Sequence, residues 1–279
     1  MKKFPWSRLY LAVVFVMLYT PIFYLIFYSF NDGGTMNRFT GFTWDNYTAV
    51  FEDSRLLIIV LNTFMLAFLS ALIATAIGTF GAMAIYYTKQ RSTRNALLSL
   101  NNILLVSPDV IIGASFLIFF TMIGGLFRSF SLGFTSVLLS HIAFSIPIVV
   151  LMVLPKLREM NDSMVDAARD LGANNFQVVK NIILPFLSPG IIAGYFMAFT
   201  YSLDDFAVTF FVTGNGFSTL SVEIYSRARQ GISLEINALS TLVFLFSMIL
   251  VVGYYFISQE NVSRRVRKNR QKREVTDLQ

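Results

Sequence analysis

Six runs of this 279-residue chain carry almost no charge over lengths sufficient to cross a bilayer: residues 9–30, 59–86, 97–122, 136–155, 191–212 and 236–257. A helix needs about 20 apolar residues for that purpose. Hydrocarbon offers a backbone no partners, so only helices and closed barrels can traverse it. The runs are continuously apolar rather than alternating, which selects helices over strands. Several exceed the minimum, so tilt or extension past the hydrocarbon is expected. With 55% hydrophobic residues, 14% charged residues and a mean hydropathy of +0.63, the chain falls outside the soluble class. The expectation is an all-α polytopic membrane protein with six spans in one domain, residues 9–258, and no low-complexity linker.

The basic residues orient it. With residues 1–8 inside, seventeen of the 22 Lys and Arg fall in inner segments and five in outer ones. The inner set includes Lys2, Lys3, Arg91, Lys156, Arg169 and a basic tail over residues 259–279; the outer set is Arg38, Arg55, Arg128, Arg227 and Arg229. Both termini are therefore expected in the cytoplasm of a bacterial cell, with the chain in its cytoplasmic membrane. Lys2 and Lys3 ahead of an apolar run resemble a cleavable signal, but the run is long, contains Pro21 and lacks a small-residue cleavage site. It is kept as a span. Zero cysteines exclude disulfides and thiolate metal sites. The net charge of +6 resides in the inner loops and tail, where it serves anionic lipid and not nucleic acid.

Pro21, Pro108 and Pro147 lie inside predicted spans, where each removes a backbone hydrogen bond. Gly78 and Gly81, near Ala74 and Ala82, suit close helix packing. The outer segment 31–55 is aromatic, with Phe39, Phe42, Trp44 and Tyr47, as an interfacial loop would be. The outer segment 214–235 predicts a short helix at 221–230 bounded by Gly214, Gly216 and Gly231. That helix either docks a partner or simply lies at the headgroups.

Residues 166–185, an inner loop, read DAARDLGANNFQVVKNIILP. Ser163 with Asp166 forms a capping-box-like start, and Gly172 supplies a left-handed stop. Asn174 or Asn175 can cap a second helix, which Pro189 follows as the next span begins. The loop resembles the EAA loop of ABC-transporter permeases: an acidic residue, two alanines, a glycine four positions on, and an Ile-x-Leu-Pro ending. Asp166, Ala167, Ala168, Gly172, Ile182, Leu184 and Pro185 carry the match, with Asp166 standing where the family usually has Glu. The resemblance implies a coupling loop, residues 156–188, that docks a separate ATPase. No GxxxxGK[ST], GxSxG or HExxH motif is present, so any ATP and Mg would be handled by that partner, with no cofactor and no catalytic or metal residues here.

Three carboxylates sit within predicted spans: Asp109, Asp204 and Asp205. No Lys or Arg shares those spans, and an acid at the bilayer centre costs about 2.5–3.5 kcal/mol on insertion scales. Such acids face a cavity, a partner or a ligand. At 1.5 Å per residue, Asp109 lies about 18 Å and Asp204 about 20 Å above the inner ends of their runs. The two are thus expected at similar depth, as a cation path would require. Neighbouring residues on a helix face different ways, so one of Asp204 and Asp205 can instead cap a broken helix. His141, the sole histidine, is a poor metal ligand on its own and a better structural hydrogen-bonding group.

Ser107-Pro108-Asp109, Ser140-His141-Ile142, Ser202-Leu203-Asp204-Asp205-Phe206 and Phe211-Val212-Thr213-Gly214 are similar to the spermidine/putrescine permease branch over nearly the whole chain. This implies the fold of an ABC type I importer permease and a four-component importer. Its partners would be a sister permease, an ATPase dimer and an extracytoplasmic polyamine-binding protein. Asp109, Asp204, Asp205 and, more weakly, Trp44 would meet a substrate with several ammonium groups. Other readings are a permease for another cationic or neutral solute, a secondary cation-coupled transporter, and a membrane sensor that transports nothing. An anion would need Lys or Arg within a span, and there is none.

Overall fold

The computed structural model describes residues 6–126, 130–231 and 233–249. Lys2, Lys3, the end of the sixth run and the basic tail lie outside the described residues. The helices, in chain order, are α1 Trp6–Tyr28, α2 Asp45–Glu52, α3 Ser54–Tyr87, α4 Arg91–Val106, α5 Asp109–Leu126 and α6 Phe134–Glu159. They continue as α7 Ser163–Asp170, α8 Asn175–Val178, α9 Leu184–Asp204, α10 Ala207–Val212, α11 Leu220–Gln230 and α12 Leu234–Ile249. A π-helical turn, Val179–Ile183, joins α8 to α9. The one β feature among the described residues is an isolated bridge between Asn31 and Phe42. Among the described residues, five helical stretches are long and apolar enough to span a membrane: Arg8–Tyr28, Ser54–Tyr87, Asp109–Leu126, Phe134–Glu159 and Asn175–Asp204. The chain is an all-α, multi-pass membrane protein. In the sixth run the described residues form the shorter apolar helix α12.

Two expected spans are broken. The third run is not one helix: α4 stops at Val106, Ser107 is extended at φ −69°, ψ 139°, and α5 restarts at Asp109. Pro108 is the cause, because its ring excludes the helical conformation for Ser107. The fifth run begins earlier and ends sooner than expected. Helix is continuous from Asn175 to Asp204, with Pro189 inside it and not at its start. It then breaks at Asp205 and resumes as α10. Pro21 and Pro147 stay within α1 and α6.

Contacts divide the chain into two units, residues 57–226 and residues 1–56 with 227–279. In the first, α6 is the central helix. Val149, Val150 and Val153 are buried with Ala71 and Ala82 of α3 and Leu187 and Ala198 of α9. Gly78 lets α3 and α6 approach, since a Cβ there would stand 2.7 Å from Val149 Cβ. Gly81 has ordinary room, its nearest neighbour at 3.8 Å. A second cluster joins Leu66, Ile112, Phe120, Val137, Phe144, Val208 and Val212. Here Gly113 of α5 lies against the α10 backbone, with Val208 Cα 3.0 Å from where a Cβ would be.

In the other unit, buried Asn31 gathers the loop that follows α1. Its amide donates to the carbonyls of Thr35 and Arg38, and its oxygen accepts from the Thr40 N–H at 2.8 Å. Asp53 caps α3 by accepting from the N–H groups of Arg55 and Leu56. Its other oxygen takes a 3.0 Å ion pair from Arg227 of α11. The predicted outer helix is present as α11, and Gly214, Gly216 and Gly231 all have positive φ.

Candidate functional site

The last turn of α9 presents two faces. Tyr201 and Asp204 are three residues apart and share one face; Ser202 and Asp205 share another. On the first, the Tyr201 hydroxyl donates to Asp109 Oδ1 at 2.9 Å, joining the end of α9 to the start of α5. The Tyr201 ring is held edge-on against Phe144 of α6, centroids 5.0 Å apart. Asp109 and Asp204 are both exposed. One carboxylate thus accepts from the phenol and a second follows one turn on along the same face, on helices without a Lys or Arg. The sequence-based height of Asp109 treated residues 97–122 as one helix, which the break at Ser107 rules out, whereas residues 191–204 below Asp204 are continuous helix. The Tyr201 contact now relates α5 to the end of α9 directly.

Asp205 lies on the other face and is only 7% exposed in its side chain. Its Oδ1 accepts from the Val208 N–H at 3.3 Å, and its Oδ2 from the Thr209 N–H and hydroxyl, each at 2.8 Å. It therefore caps α10, the role anticipated for one of the two aspartates. Fully buried His141 reaches the same place from α6. Its Nε2 is 2.8 Å from Thr209 Oγ1 and 3.5 Å from Asp205 Oδ2. Its Nδ1 is 2.6 Å from Ser202 Oγ, which is 2.9 Å from Ser70 Oγ of α3. The histidine has its expected hydrogen-bonding role, and its acid arrives from sixty-four positions away in sequence.

Trp44 precedes α2 and is 59% exposed. It packs edge-on against Phe30 and Phe42 and against Tyr47. An apolar cavity of about 400 Å³ among α3, α4 and α6, lined by Gly81, Leu97, Asn101 and Pro147, contains none of the acids.

In the loop between α6 and α9, α7 ends in a Schellman turn. The Ala173 N–H bonds the Ala168 carbonyl at 3.0 Å and the Gly172 N–H bonds Arg169 at 2.8 Å, with Gly172 at φ +85°. Asn174 caps α8 through a reciprocal box with Gln177. Ser163, expected as a cap, is the first helical residue; the side chain of Asn161 accepts its N–H. Val165, Val178 and Ile183 anchor the loop in the core. Asp166, Ala167, Gly172 and Pro185 are exposed, while Ala168, Ile182 and Leu184 are half-buried. Beside them Leu171 and Phe176 are 90% and 72% exposed, a pair of apolar groups that the sequence reading passed over.

The "Spermidine/putrescine transport system permease protein PotC" of Haemophilus influenzae is 33% identical over 261 residues, 94% of this chain and 99% of that protein. PotC of Escherichia coli K12 is 34% identical over 251 residues, 90% of this chain and 93% of its own length. "Putrescine transport system permease protein PotI" of E. coli K12 is 32% identical over 251 residues, 90% and 89% of the two chains. Among solved structures, a bacterial ABC transporter importing alginate superposes with a TM-score of 0.73 at 16% identity, over 91% of this chain and 94% of that one. The MetNI methionine ABC transporter gives 0.58 at 19% identity, over 73% and 97%. These two show a shared fold. Residues 74–268 match the family described as "Binding-protein-dependent transport system inner membrane component", and the chain belongs to that family of non-catalytic ABC-transporter permeases.

Proposed function

We propose that this ABC-importer permease subunit carries polyamines, forming half of the path with a sister permease. The observation that carries the reading is the pair of exposed carboxylates, Asp109 bonded to half-buried Tyr201 and Asp204 one turn after Tyr201 on the same face of α9, on helices without a basic residue. Ammonium groups on an alkyl chain match spaced carboxylates with apolar and aromatic surface between them. The PotC and PotI resemblance supports the same substrate class. Asp205 contributes by holding the helix break from which Asp204 projects. Trp44 is assigned an aromatic contact in the outer segment.

The inner loop is assigned to an ATPase dimer. Exposed Leu171 and Phe176 beside Asp166 and Ala167 form the docking surface, and Gly172 sets the turn between the two helices. An extracytoplasmic binding protein would deliver substrate from the other side, with six spans and both termini inside.

ATP-dependent uptake of labelled putrescine and spermidine by the reconstituted complex tests this. Asp109→Asn and Asp204→Asn keep size but remove charge, so uptake should fall at least tenfold, the order expected when a charge-assisted bond of about 1.5–3 kcal/mol is lost. Assembly should be unchanged. Wild-type uptake by both assembled variants refutes the cation path.

A further inference from the structure

We infer that His141 is a positioning residue for the cation site, acting through the α9–α10 break and resting on the polyamine reading above. A helix break inside a bilayer frees backbone groups that water cannot satisfy. Here Asp205 takes two of the freed N–H groups of α10. His141 then bridges the break. One ring nitrogen holds Ser202 on the near side, and the other holds Thr209 on the far side.

The direction of these bonds follows from the acid. The Thr209 hydroxyl donates to Asp205, so its oxygen is left to accept from Nε2–H of His141. With the imidazole neutral, Nδ1 accepts the Ser202 hydroxyl, and Ser202 accepts from Ser70 when the single Ser70 hydroxyl proton turns to it in place of the Ala67 carbonyl at 3.2 Å. Every member of this chain is satisfied, and four helices meet in it: α3, α6, α9 and α10. His141 and Ser70 are fully buried and Ser202 is 2% exposed, so water cannot replace a lost partner at low cost.

The consequence appears on the opposite face. With Ser202 and Asp205 fixed inward, Tyr201 and Asp204 are held on the opposite face, where Tyr201 meets Asp109. His141 touches none of these three in the described hydrogen bonds; it sets the rotation of the turn that presents them. Phe144, one turn along α6, supports the same arrangement by packing against both His141, tilted at a centroid distance of 4.8 Å, and Tyr201, edge-on at 5.0 Å.

The test uses the reconstituted complex with His141→Ala, His141→Gln and His141→Asn, alone and combined with Asp204→Asn. Each buried hydrogen bond is worth roughly three- to tenfold in an equilibrium, so His141→Ala should raise the polyamine KM about tenfold or more in complex that still assembles. The Gln amide can reach the Nε2 position and keep the Thr209–Asp205 link. The Asn amide reaches only the Nδ1 position, so Gln should recover more affinity than Asn. Because His141 acts through Asp204, the double variant His141→Ala/Asp204→Asn should be little worse than Asp204→Asn alone. Multiplying effects, or an unchanged KM in His141→Ala, would overturn the assignment.

A substrate-independent readout separates this from the transport reading. Asp204→Cys places a single thiol in a chain that has none. Its modification by an ethylammonium methanethiosulfonate should change severalfold in rate when His141→Ala is added. An unchanged rate refutes positioning. If Asp204→Asn transports polyamines normally while the thiol rate shifts, the substrate assignment fails and the positioning role stands.

Discussion

Replacing Gly78 by Ala should loosen the α3–α6 pair, whereas the same change at Gly81, one turn away, should not. A Cβ on Gly78 would stand 2.7 Å from Val149 Cβ, 2.8 Å from Val149 Cγ1 and 3.1 Å from the Ile146 carbonyl oxygen. Carbon atoms rest at about 3.5–4.0 Å, so the deficit is about 1 Å. Val149 has no easy retreat. It is fully buried, β-branched and so largely restricted to one helical rotamer. Ile146 offers backbone, which moves only with the helix. Separation of α3 from α6 is the remaining relief, and overpacking of this kind costs about 1–3 kcal/mol. At Gly81 the nearest atom is Val150 Cγ2 at 3.8 Å, an ordinary contact. There alanine gains up to about 1 kcal/mol of helix propensity. The two variants should therefore move stability in opposite directions. The half-life of assembled transporter in detergent at a fixed elevated temperature reads this directly. Equal half-lives for the two variants, or a Gly78→Ala protein as durable as wild type, would refute the steric reasoning.

Three further outcomes are expected. Gly172→Val forces a β-branched residue to φ +85°; uptake should drop severalfold while the protein reaches the membrane, and full transport would break the link between this turn and coupling. On the proposed orientation, cysteines at Ser92 and Arg169 should be shielded from an impermeant thiol reagent in intact cells and ones at Thr40 and Ser218 should label, so labelling at 169 would overturn it. The guanidinium of Arg227, hydrogen-bonded to Asp53, holds that carboxyl below its ordinary 3.8. Its stabilisation is therefore present above that value and lost as pH falls through the lowered one. Both partners are partly exposed, so Arg227→Gln should cost only about 0.2–1 kcal/mol, and its deficit relative to wild type should shrink in acid. A pH-independent deficit would mean the pair acts by packing alone.

Apolar length and local capping chemistry were legible in the sequence; the places where spans break were not fully so. Five of the expected runs overlap helices of membrane-spanning length, and α11, the Gly172 stop and the Asn174 cap lie where the residues put them. Those features depend on neighbours a few positions apart. Pro108 was seen as a disturbance in one helix, yet the exclusion it imposes on Ser107 ends α4 outright. The α9–α10 break has no Pro or Gly at all. It exists because Asp205, His141, Thr209 and Ser202 together satisfy a non-helical turn in the core, and three of those contacts reach α9–α10 from α6 or across the break. Tyr201 could have been suspected, since it stands one turn before Asp204. Its partner Asp109, ninety-two positions earlier, could not.

The same packing bears on how the two ends of the protein communicate. Asn175–Asp204 is 30 continuous helical residues, about 45 Å at 1.5 Å per residue. One end carries the loop assigned to the ATPase and the other carries Asp204. A displacement at the inner end must reach the acid unless the rod yields along the way. The weak points are the π turn Val179–Ile183, where hydrogen bonding is displaced, and Pro189, which removes a bond. Both precede the close contacts of Gly190 with Lys156 and Gly194 with Val149. Beyond them α9 is clasped to α6, the helix that also holds His141. Bending at the inner end would therefore leave residues 190–204 and α6 moving together, with the turn that aims Asp204 preserved. On the proposed function, the ATPase would shift a preformed acid face as a unit and would not have to rebuild it in each cycle.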